Sequence, residues 1–539
     1  MPPTPSTAPV LQDLESRRFL SAGAIDISFG NDGLASIRAN ASDARLSDVA
    51  VTPDGRIVVT GTTAADGTLN VARFRVDGSL DPTFGVNGRA TSRIGSAQVR
   101  AVAVQPDQRI VAVGSRGQDY FVLRYNTNGK HDRTFGDGGL VRRTFGQAVS
   151  EARDVTILDD GSILVAGTAR QANGSTAAGV ARFESDGSAD DRFGDNGTVV
   201  TKFGTLLGDA PSVFVKRMAV RDDLAANDFV LAGRWSNGAI VPDAGDDAVA
   251  VMRLQNDGSI DPTFSDDGLA LADFGTIDEE ATGIAIDPQG RPVMSIAGTD
   301  AFGVLRLHAS GSCDTTFGKN GLARASSTHG EAFDVLIDDD ERIVLTGVIN
   351  GASRLDRLLD TGQLDDDFTV GNSSVPVPFR SPSQPVRVAL SPDQTYVVAG
   401  TGSIDQAPVR FELSKFLTDD GPAARVVSAP ELRTPTTGSY VFHVLWRETF
   451  GVNVSTIGSN DVRVTGPNGY ARTAVLVSPP TFTDPTVTGR YKVAPPNGTN
   501  WTSADNGMYT IHALVGGVLD LQGIPNPAAV LGTFPVNIT

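Results

Sequence analysis

The 539-residue chain has a single cysteine, Cys313, so no disulfide can form within it. It has no run of 18 apolar residues, and we therefore predict no membrane insertion. Its formal charge of −18 argues against a nucleic-acid partner, because phosphates need a basic surface. Aromatic residues make up only 6% of the chain, whereas glycine is abundant at 59 residues and proline adds 30. This composition indicates many short strands joined by turns.

The motifs of common catalytic sites are also missing. No Gly-x-Ser-x-Gly elbow or Gly-Lys-Thr/Ser loop occurs, and neither does the Ser-x-Asp-x-Gly-x-Thr-Trp box of sialidases. Five histidines lack the spacing of a zinc site: His131, His308, His329, His443 and His512. Cys313 stands where other repeats have Leu, Ile or Ala, which indicates a small buried residue rather than a nucleophile. We therefore predict that the protein is not an enzyme.

The chain does contain a repeated phrase, typified by Asp81-Pro82-Thr83-Phe84-Gly85. Its seven copies begin 51 to 71 residues apart, at Asp26, Asp81, Asp132, Asp190, Asp261, Asp314 and Asp365. Short runs rich in Val, Ile and aromatic residues follow each copy, separated by Gly, Asp and Asn turns. Four short strands per copy would make one antiparallel sheet, which cannot bury both of its faces alone. A ring of stacked sheets can, so the repeat predicts a β-propeller.

The two ends of the repeat region predict how the ring closes. The seventh copy ends after three strands, near Arg410, whereas the first copy begins with an additional strand at 34–38. We expect residues 34–38 to supply the fourth strand of the last blade. This gives seven four-stranded blades and leaves no exposed sheet edge.

The repeats resemble the delta-60 family, a bacterial propeller-type repeat of unassigned biochemical function, over about residues 23–414. The matching segments are the Asp-x-Thr-Phe-Gly phrases and hairpins such as Pro53–Gly61. Blade four departs by inserting Asp209–Phe214 and Ala239–Asp247, and blade seven has Thr369 where blade one has Gly85. The resemblance implies the fold and says little about function.

The N-terminal residues 1–22 are predicted to be a disordered segment related to export. Within them, Leu14–Ala22 resembles the short LEPR-XLL segment near the N-terminus of many large planctomycete proteins thought to be exported. Ser16 replaces the usual Pro, and Phe19 replaces a usual Leu. The resemblance implies an extracellular or cell-surface location.

The repeat stops after Ser414, and residues 415–424 are predicted to be a linker. Residues 425–539 contain seven or eight alternating strand-like runs, which suits an immunoglobulin-like β-sandwich. Asp505–Tyr509 resembles a tyrosine corner, although Ile511 stands where the usual Cys would be. Such domains are commonly spacers or adhesion modules, by analogy of architecture.

An arginine recurs late in the third strand of every predicted blade: Arg73, Arg124, Arg182, Arg253, Arg306, Arg357 and Arg410. The first six lie eight residues before Asp81, Asp132, Asp190, Asp261, Asp314 and Asp365. We interpret them as structural ion pairs that hold the turn between the third and fourth strands, in preference to a ring of anion-binding arginines. The seventh pair is predicted to join Arg410 to Asp26 across the ring closure, so that Asp26→Ala destabilises more than Asp132→Ala.

Two further surface features are candidates for binding. Blade four has the longest copy, and its predicted rim consists of Trp235, Asp243, Asp246 and Asp247. Acidic turns such as Asp338–Glu341 leave Ca²⁺ as an alternative to solvated turns, although none matches an EF-hand loop. We predict no metal site.

Two functions remain open at this point. The first is a non-enzymatic extracellular or cell-surface protein that presents a propeller face to a protein or glycan. The alternative is a propeller enzyme, a hydrolase or lyase, with its site at the central channel. Converging acids, His and Tyr at one channel opening would favour the enzyme, whereas scattered repeat-related residues would favour the binding protein.

Overall fold

A computed structural model describes most of the chain. The residues outside its description are 1–21, 24, 27–28, 40–42, 64–65, 147–148, 202–211, 222–227, 237–246, 274–278, 298–301, 326–329, 366–367, 369–373, 380–383, 403–408, 419–422, 448–451, 479–485, 515, 520–525, 527–528 and 539. One compact unit is Gly23–Thr418, and the other contains Asp419–Thr539. In the part of the chain that is described, the elements are β-strands and three 3-10 turns, with no α-helix. That part also contains no helix with the length and hydropathy needed to cross a bilayer.

The described residues of the first unit begin their regular structure with strand β1 (Leu34–Arg38) and form seven four-stranded antiparallel sheets. Sheet 1 consists of β2 (Ala44–Val51), β3 (Ile57–Thr63), β4 (Thr68–Phe74) and β5 (Arg89–Arg93). Sheet 2 consists of β6 (Ala97–Val104), β7 (Ile110–Arg116), β8 (Asp119–Tyr125) and β9 (Leu140–Arg143). Sheet 3 consists of β10 (Val149–Ile157), β11 (Ile163–Arg170), β12 (Thr176–Phe183) and β13 (Thr198–Thr201).

The remaining four sheets repeat this order along the chain. Sheet 4 consists of β14 (Ser212–Val220), β15 (Phe229–Ser236), β16 (Asp247–Leu254) and β17 (Leu269–Ala272). Sheet 5 consists of β18 (Glu280–Ile286), β19 (Pro292–Ala297), β20 (Gly303–Arg306) and β21 (Leu322–Arg324). Sheet 6 consists of β22 (Gly330–Ile337), β23 (Ile343–Ile349), β24 (Ala352–Leu358) and β25 (Ser374–Pro376). Sheet 7 consists of β26 (Gln384–Leu390), β27 (Tyr396–Gly402), β28 (Arg410–Phe416) and, from the start of the chain, β1.

The second and third strands of these sheets are buried on both faces, because each sheet is stacked between two neighbours. All seven residues of β3 are buried, including its three threonines. One shared cluster joins Val58 and Val71 of sheet 1 to Phe121 of sheet 2. Another joins Phe411 of sheet 7 to Leu46 of sheet 1. Burial of both faces therefore depends on the neighbouring repeats.

The strand pairing predicted at the chain ends is confirmed. β1 runs antiparallel to β28, with Leu34 opposite Ser414 and Arg38 opposite Arg410. The first strand of each sheet contacts the first strand of the next, and β26 of sheet 7 contacts β2 of sheet 1. The contacts between successive sheets therefore run in a closed cycle.

The repeated phrase forms the link between each sheet and the next. Phe84 is fully buried, and the Gly85 amide donates a 2.8 Å hydrogen bond to the carbonyl of Asn128 in sheet 2. Gly85 has φ +57°, and a Cβ there would lie 1.8 Å from the Arg89 carbonyl oxygen. This close approach and the positive φ favour glycine, which explains why most copies of the phrase end in Gly. Ser265 occupies the same position in sheet 4 with φ +52°.

The repeat region ends later than the sequence suggested. β28 continues through Lys415 and Phe416, both buried, and the first unit extends to Thr418. The predicted boundary at residue 414 is therefore four residues too early, and the predicted linker 415–424 overlaps the end of the first unit. The reason is that Phe416 occupies the position of Phe74 in sheet 1, since each makes the bridge that ends the third strand.

The described part of the second unit forms two four-stranded sheets and one two-stranded pair. One sheet has the order β29 (Ala423–Ser428), β31 (Tyr440–Arg447), β35 (Thr486–Val493) and β34 (Val475–Ser478). The other has the order β33 (Tyr470–Thr473), β32 (Val462–Gly466), β37 (Gly507–Ala513) and β38 (Ala529–Val536), and β30 (Thr436–Thr437) pairs with β36 (Asn500–Trp501). Their inner faces share one core, which includes Trp446, Tyr491 and Phe534. The Tyr509 hydroxyl donates a 3.0 Å hydrogen bond to the Asp505 carbonyl, the bond that defines a tyrosine corner.

Candidate functional site

The six Arg–Asp pairs that are eight residues apart lie in direct contact. Their shortest N–O distances are 2.6 to 2.9 Å, and each member is at least nine-tenths buried. In sheet 1, Arg73 Nε donates to Asp81 Oδ2, while its Nη1 donates to the Thr127 carbonyl of sheet 2 at 2.6 Å. The guanidinium also lies 4.7 Å from the centre of the Phe84 ring. The pair thus holds its own turn and the adjacent sheet, which supports a structural role.

The pKa values of Asp81, Asp132, Asp190, Asp261 and Asp314 are lowered from the ordinary value of an aspartate. Burial by itself would raise the pKa of Asp81, but hydrogen bonds from Thr83 and the charge of Arg73 outweigh it and lower that pKa. The same balance lowers the pKa of Asp132. Both carboxyls therefore contribute stability that is lost as the pH falls through their folded pKa.

The seventh pair is not the predicted one. The Asp26 amide donates to the Lys415 carbonyl, as the Asp81 amide does to Arg73, so Lys415 occupies the arginine position. Lys415 Nζ lies 4.0 Å from Asp26 Oδ2. Arg410 is the first residue of β28, five residues or about 17 Å away along the strand, and it donates to Ser36 Oγ instead. The prediction of an Asp26–Arg410 pair is therefore wrong, because the register of β28 places lysine at the turn.

This register reverses the predicted order of the stability losses caused by Asp26→Ala and Asp132→Ala. We expect Asp26→Ala to lower the free energy of unfolding by about 0–1 kcal/mol, since the side chain is 19% exposed and its lysine is distant. Asp132→Ala should cost about 3–5 kcal/mol, because it leaves Arg124 buried without its carboxylate partner. Urea denaturation of both variants checks the order, and a larger loss for Asp26→Ala would contradict it.

The predicted rim of blade four is described only in part. Asp243 and Asp246 lie outside the described residues, as does the segment 239–246. Trp235 lies within β15, opposite Val213 and Ala248, and is half-buried against the sheet-4 core. Asp247 begins β16 and lies 3.3 Å from Arg234. Part of the predicted insertion Asp209–Phe214 is also regular structure, because β14 begins at Ser212.

The acidic turns and the cysteine have local structural explanations. Asp338 accepts hydrogen bonds from Tyr396, from Arg342 Nε and from the Asp340 amide, so its carboxylate is fully engaged. No cluster of three or more His, Cys, Asp or Glu suited to a metal occurs in the described parts of the chain. Cys313 is exposed, contrary to the prediction, because its repeat position lies beside the turn rather than inside the sheet.

The sequence did not reveal the most distinctive side-chain cluster of the first unit. The first strand of every sheet carries a β-bulge at the same position, after Leu46, Val99, Ala152, Val215, Ala281, Ala332 and Pro385. A bulge bends the strand and re-aims the side chains next to it. A cavity of about 320 Å³ opens at these bulges and is lined by Arg45, Leu46, Ser47, Arg100, Arg153, Lys216, Arg217, Glu280, Thr282, Phe333 and Arg387. We call this cavity the basic opening.

Some cations of the basic opening lack a carboxylate partner. Arg100 donates through Nη2 to Gln98 and makes no ion pair with any described residue, and its buried Nε has no hydrogen-bond partner. The buried Nε of Arg153 has none either, although its Nη2 contacts Glu151. Lys216 is paired, at 2.8 Å from Glu280. Buried donors without partners are rare in proteins, so these two N–H groups are candidates for binding an anion.

Three buried carboxyls each directly follow a residue that lines the basic opening, and we call them the floor carboxyls. Asp48, Asp154 and Asp334 each follow a bulge, and each accepts a hydrogen bond from a backbone amide of the next sheet, from Val102, Met218 and Val388 respectively. Arg217 Nη1 lies 3.2 Å from Asp154 Oδ1, and Arg387 Nε lies 3.2 Å from Asp48 Oδ1. Burial raises the pKa of Asp48 and of Asp334 to about 7 despite the opposing charge of Arg217. Burial also raises the pKa of Asp154.

Comparison with known families now identifies the architecture. The model described as "Domain of unknown function (DUF5122) beta-propeller" matches residues 52–84, 105–135, 158–193, 231–264 and 292–317. Each match runs from the turn after a first strand, or from the second strand, to a repeated phrase. The chain is a β-propeller repeat protein. The comparison with curated proteins finds no match.

Several solved structures are similar to this propeller protein at low identity. A catalytically inactive virginiamycin B lyase from Staphylococcus aureus with quinupristin is 12% identical, with a TM-score of 0.44. The alignment covers 71% of this chain and 98% of the lyase chain. A gluconolactonase from Xanthomonas campestris is 16% identical, with a TM-score of 0.29 and coverage of 58% and 94%. The calcium-binding protein regucalcin from Agrobacterium tumefaciens is 12% identical, with a TM-score of 0.34 and coverage of 60% and 91%.

The two ends of the propeller's first strands differ in chemistry. At the end opposite the basic opening, a cavity of about 490 Å³ is lined mainly by apolar residues and prolines, including Val51, Pro53, Val104, Pro106 and Leu390. The lining of this cavity contains one charged residue, Asp159, whereas that of the basic opening contains seven.

Proposed function

We propose that the protein is a non-enzymatic, exported binding protein whose seven sheets are the seven blades of a propeller closed by β1. Its ligand is an acidic glycan, which enters the basic opening. The observation that carries this proposal is the convergence of six cationic side chains, from five different blades, on one cavity in a chain of charge −18. The second unit serves as an immunoglobulin-like module attached to the propeller.

The chemistry of the opening favours a sugar acid. A carboxylate or sulfate could accept hydrogen bonds from the unpartnered Nε groups of Arg100 and Arg153. Phe333 lines the same cavity and supplies an apolar face for a sugar ring. Pockets for small ligands commonly combine an apolar wall with a few convergent polar groups, and a volume of about 320 Å³ suits one or two sugar units.

The location and the enzymatic alternative are part of the same proposal. The LEPR-XLL-like segment supports export, and its residues 14–21 lie outside the described ones. A hydrolase or lyase is the second candidate, because Asp48 and Asp334 have pKa values near 7, which suits acid–base chemistry. It ranks second because each carboxyl is tied to a backbone amide, and no His, Tyr or Cys lines the cavity among the described residues.

The proposal is tested by titrating the full chain with trigalacturonate and, as a neutral control, with trigalactose. We expect only the acidic sugar to bind, and we expect Arg100→Gln to weaken binding by tenfold or more, the usual effect of losing a charge-assisted hydrogen bond. Arg142→Gln is the matched control, since Arg142 lies on the fourth strand of sheet 2 and pairs with Asp119. Equal binding of both sugars, or an unchanged affinity in Arg100→Gln, would overturn the proposal.

A further inference from the structure

The basic opening shares two of its arginines with the carboxyls beneath it. Arg217 lines the cavity and also lies 3.2 Å from Asp154, and Arg387 lines the cavity and lies 3.2 Å from Asp48. A bound anion and these carboxylates would therefore compete for the same positive charges. Competition of this kind couples the two sites energetically, and the coupling acts in both directions.

We infer that protons switch the basic opening: anion binding is coupled to protonation of the buried floor carboxyls, so the affinity for an acidic ligand rises as the pH falls. This inference rests on the proposed function and adds its regulation. Loss of negative charge from the floor releases Arg217 and Arg387 to face the ligand. An anion in the cavity, in turn, disfavours ionisation of the carboxyls below it.

The charged groups around the floor come from every strand packed against it. They are Arg45 and Asp48 on β2, Arg100 on β6, Glu151, Arg153 and Asp154 on β10, Lys216 and Arg217 on β14, Glu280 on β18, Glu331 and Asp334 on β22, and Arg387 on β26. When all of these groups are ionised, the cations and carboxylates nearly balance. Neutral floor carboxyls leave the opening with a net positive charge.

The position of the switch follows from the burial of its carboxyls. Asp48 and Asp334 are at least nine-tenths buried, and burial raises the pKa of both to about 7. Their charge therefore changes between about pH 6 and pH 8. The rim carboxyls Glu151 and Glu280 contact cations directly, through Arg153 and Lys216, and are more exposed to water.

The inference is tested with trigalacturonate as the probe, because sugar carboxylates remain ionised above about pH 5.5. We expect binding to the full chain to be about tenfold tighter at pH 6 than at pH 8. Calorimetry at pH 7 in two buffers of different ionisation enthalpy should show uptake of about one proton per ligand bound. This second measurement needs no variant. Binding without proton uptake and with equal affinity at both pH values would overturn the inference and leave the proposed function standing.

Substitutions locate the switch. Asp48→Asn and Asp334→Asn keep an oxygen that can accept from the Val102 and Val388 amides, and each should raise the affinity at pH 8 toward the pH 6 value. Asp119→Asn, at the start of the third strand of sheet 2 and paired with Arg142, is the control and should keep the wild-type pH dependence. A full pH dependence in the Asp48→Asn, Asp334→Asn double variant would overturn the assignment to these carboxyls. Absence of binding at every pH would overturn both proposals.

Discussion

Arg73→Met is expected to lower the free energy of unfolding by about 3–5 kcal/mol, the typical cost of leaving a buried charge without its partner. Arg73 is 4% exposed, and its loss leaves the buried Asp81 with only the partly exposed Arg56, whose Nε lies 3.3 Å away. It also removes the bond to the Thr127 carbonyl and the contact with Phe84. Methionine keeps most of the apolar length of the side chain, so the loss measures the charged contacts.

Chemical denaturation of the full chain, monitored by far-ultraviolet circular dichroism, measures the stability of Arg73→Met. Arg142→Met is the matched control, because its pair with Asp119 is 45% and 31% exposed and should be worth about 0–1 kcal/mol. Equal stability losses for the two variants would show that the buried pairs do not hold the sheets together.

Asp356→Leu is expected to stabilise the protein by about 2–4 kcal/mol at pH 8. Asp356 is fully buried on β24, and neither of its carboxylate oxygens makes a hydrogen bond. It lies directly before the arginine of its strand, where Leu123 and Leu305 stand in sheets 2 and 5. Burial raises the pKa of Asp356 to about 7, against smaller opposing effects of Ser374 and Arg354. Each unit of pKa shift corresponds to about 1.4 kcal/mol, and strain from the larger leucine offsets part of the gain.

The stability gain from Asp356→Leu is expected to increase with pH. The folded pKa of Asp356 lies above its ordinary value of 3.8, so the neutral form is the one that the fold accommodates. Its contribution is fully present below about pH 4 and is lost as the pH rises through 7. The difference in unfolding free energy between Asp356→Leu and wild type should therefore grow between pH 4 and pH 8. A difference that is constant over this range would contradict a buried ionisable Asp356.

The Arg–Asp contacts show what local spacing can predict. Arg73 and Asp81 are eight residues apart and are joined by one turn, so the sequence distance nearly fixes the spatial distance. The seventh pair has no such constraint, because Asp26 and Lys415 are separated by almost the whole repeat region. In the sequence, Arg410 is the arginine at the end of the last repeat, and we therefore predicted it as the partner of Asp26. Only the pairing of β1 with β28 showed that Lys415 occupies the position beside the turn.

The basic opening shows what local spacing in the sequence cannot predict. Its side chains come from separate repeats, and each appears in the sequence as a polar residue within an apolar strand. A local signal did exist: pairs of adjacent polar residues, such as Arg153-Asp154 and Lys216-Arg217, interrupt the alternation at the same point of the first strand. Such a pair is typical of a bulge. The sequence could not show that these bulges converge.

By itself, the sequence determined the all-β repeat, its seven copies, the return of residues 34–38 to the last copy and the buried Arg–Asp contacts. These features depend on strand patterning and turn chemistry that act within about 50 residues. Only the tertiary structure decided the identity of the seventh cation, the end of the repeat at Thr418 and the contacts of Asp48 and Asp154 with arginines of the basic opening. These features depend on strand register and on contacts between distant repeats, and therefore on the whole ring, because no single repeat contains both partners.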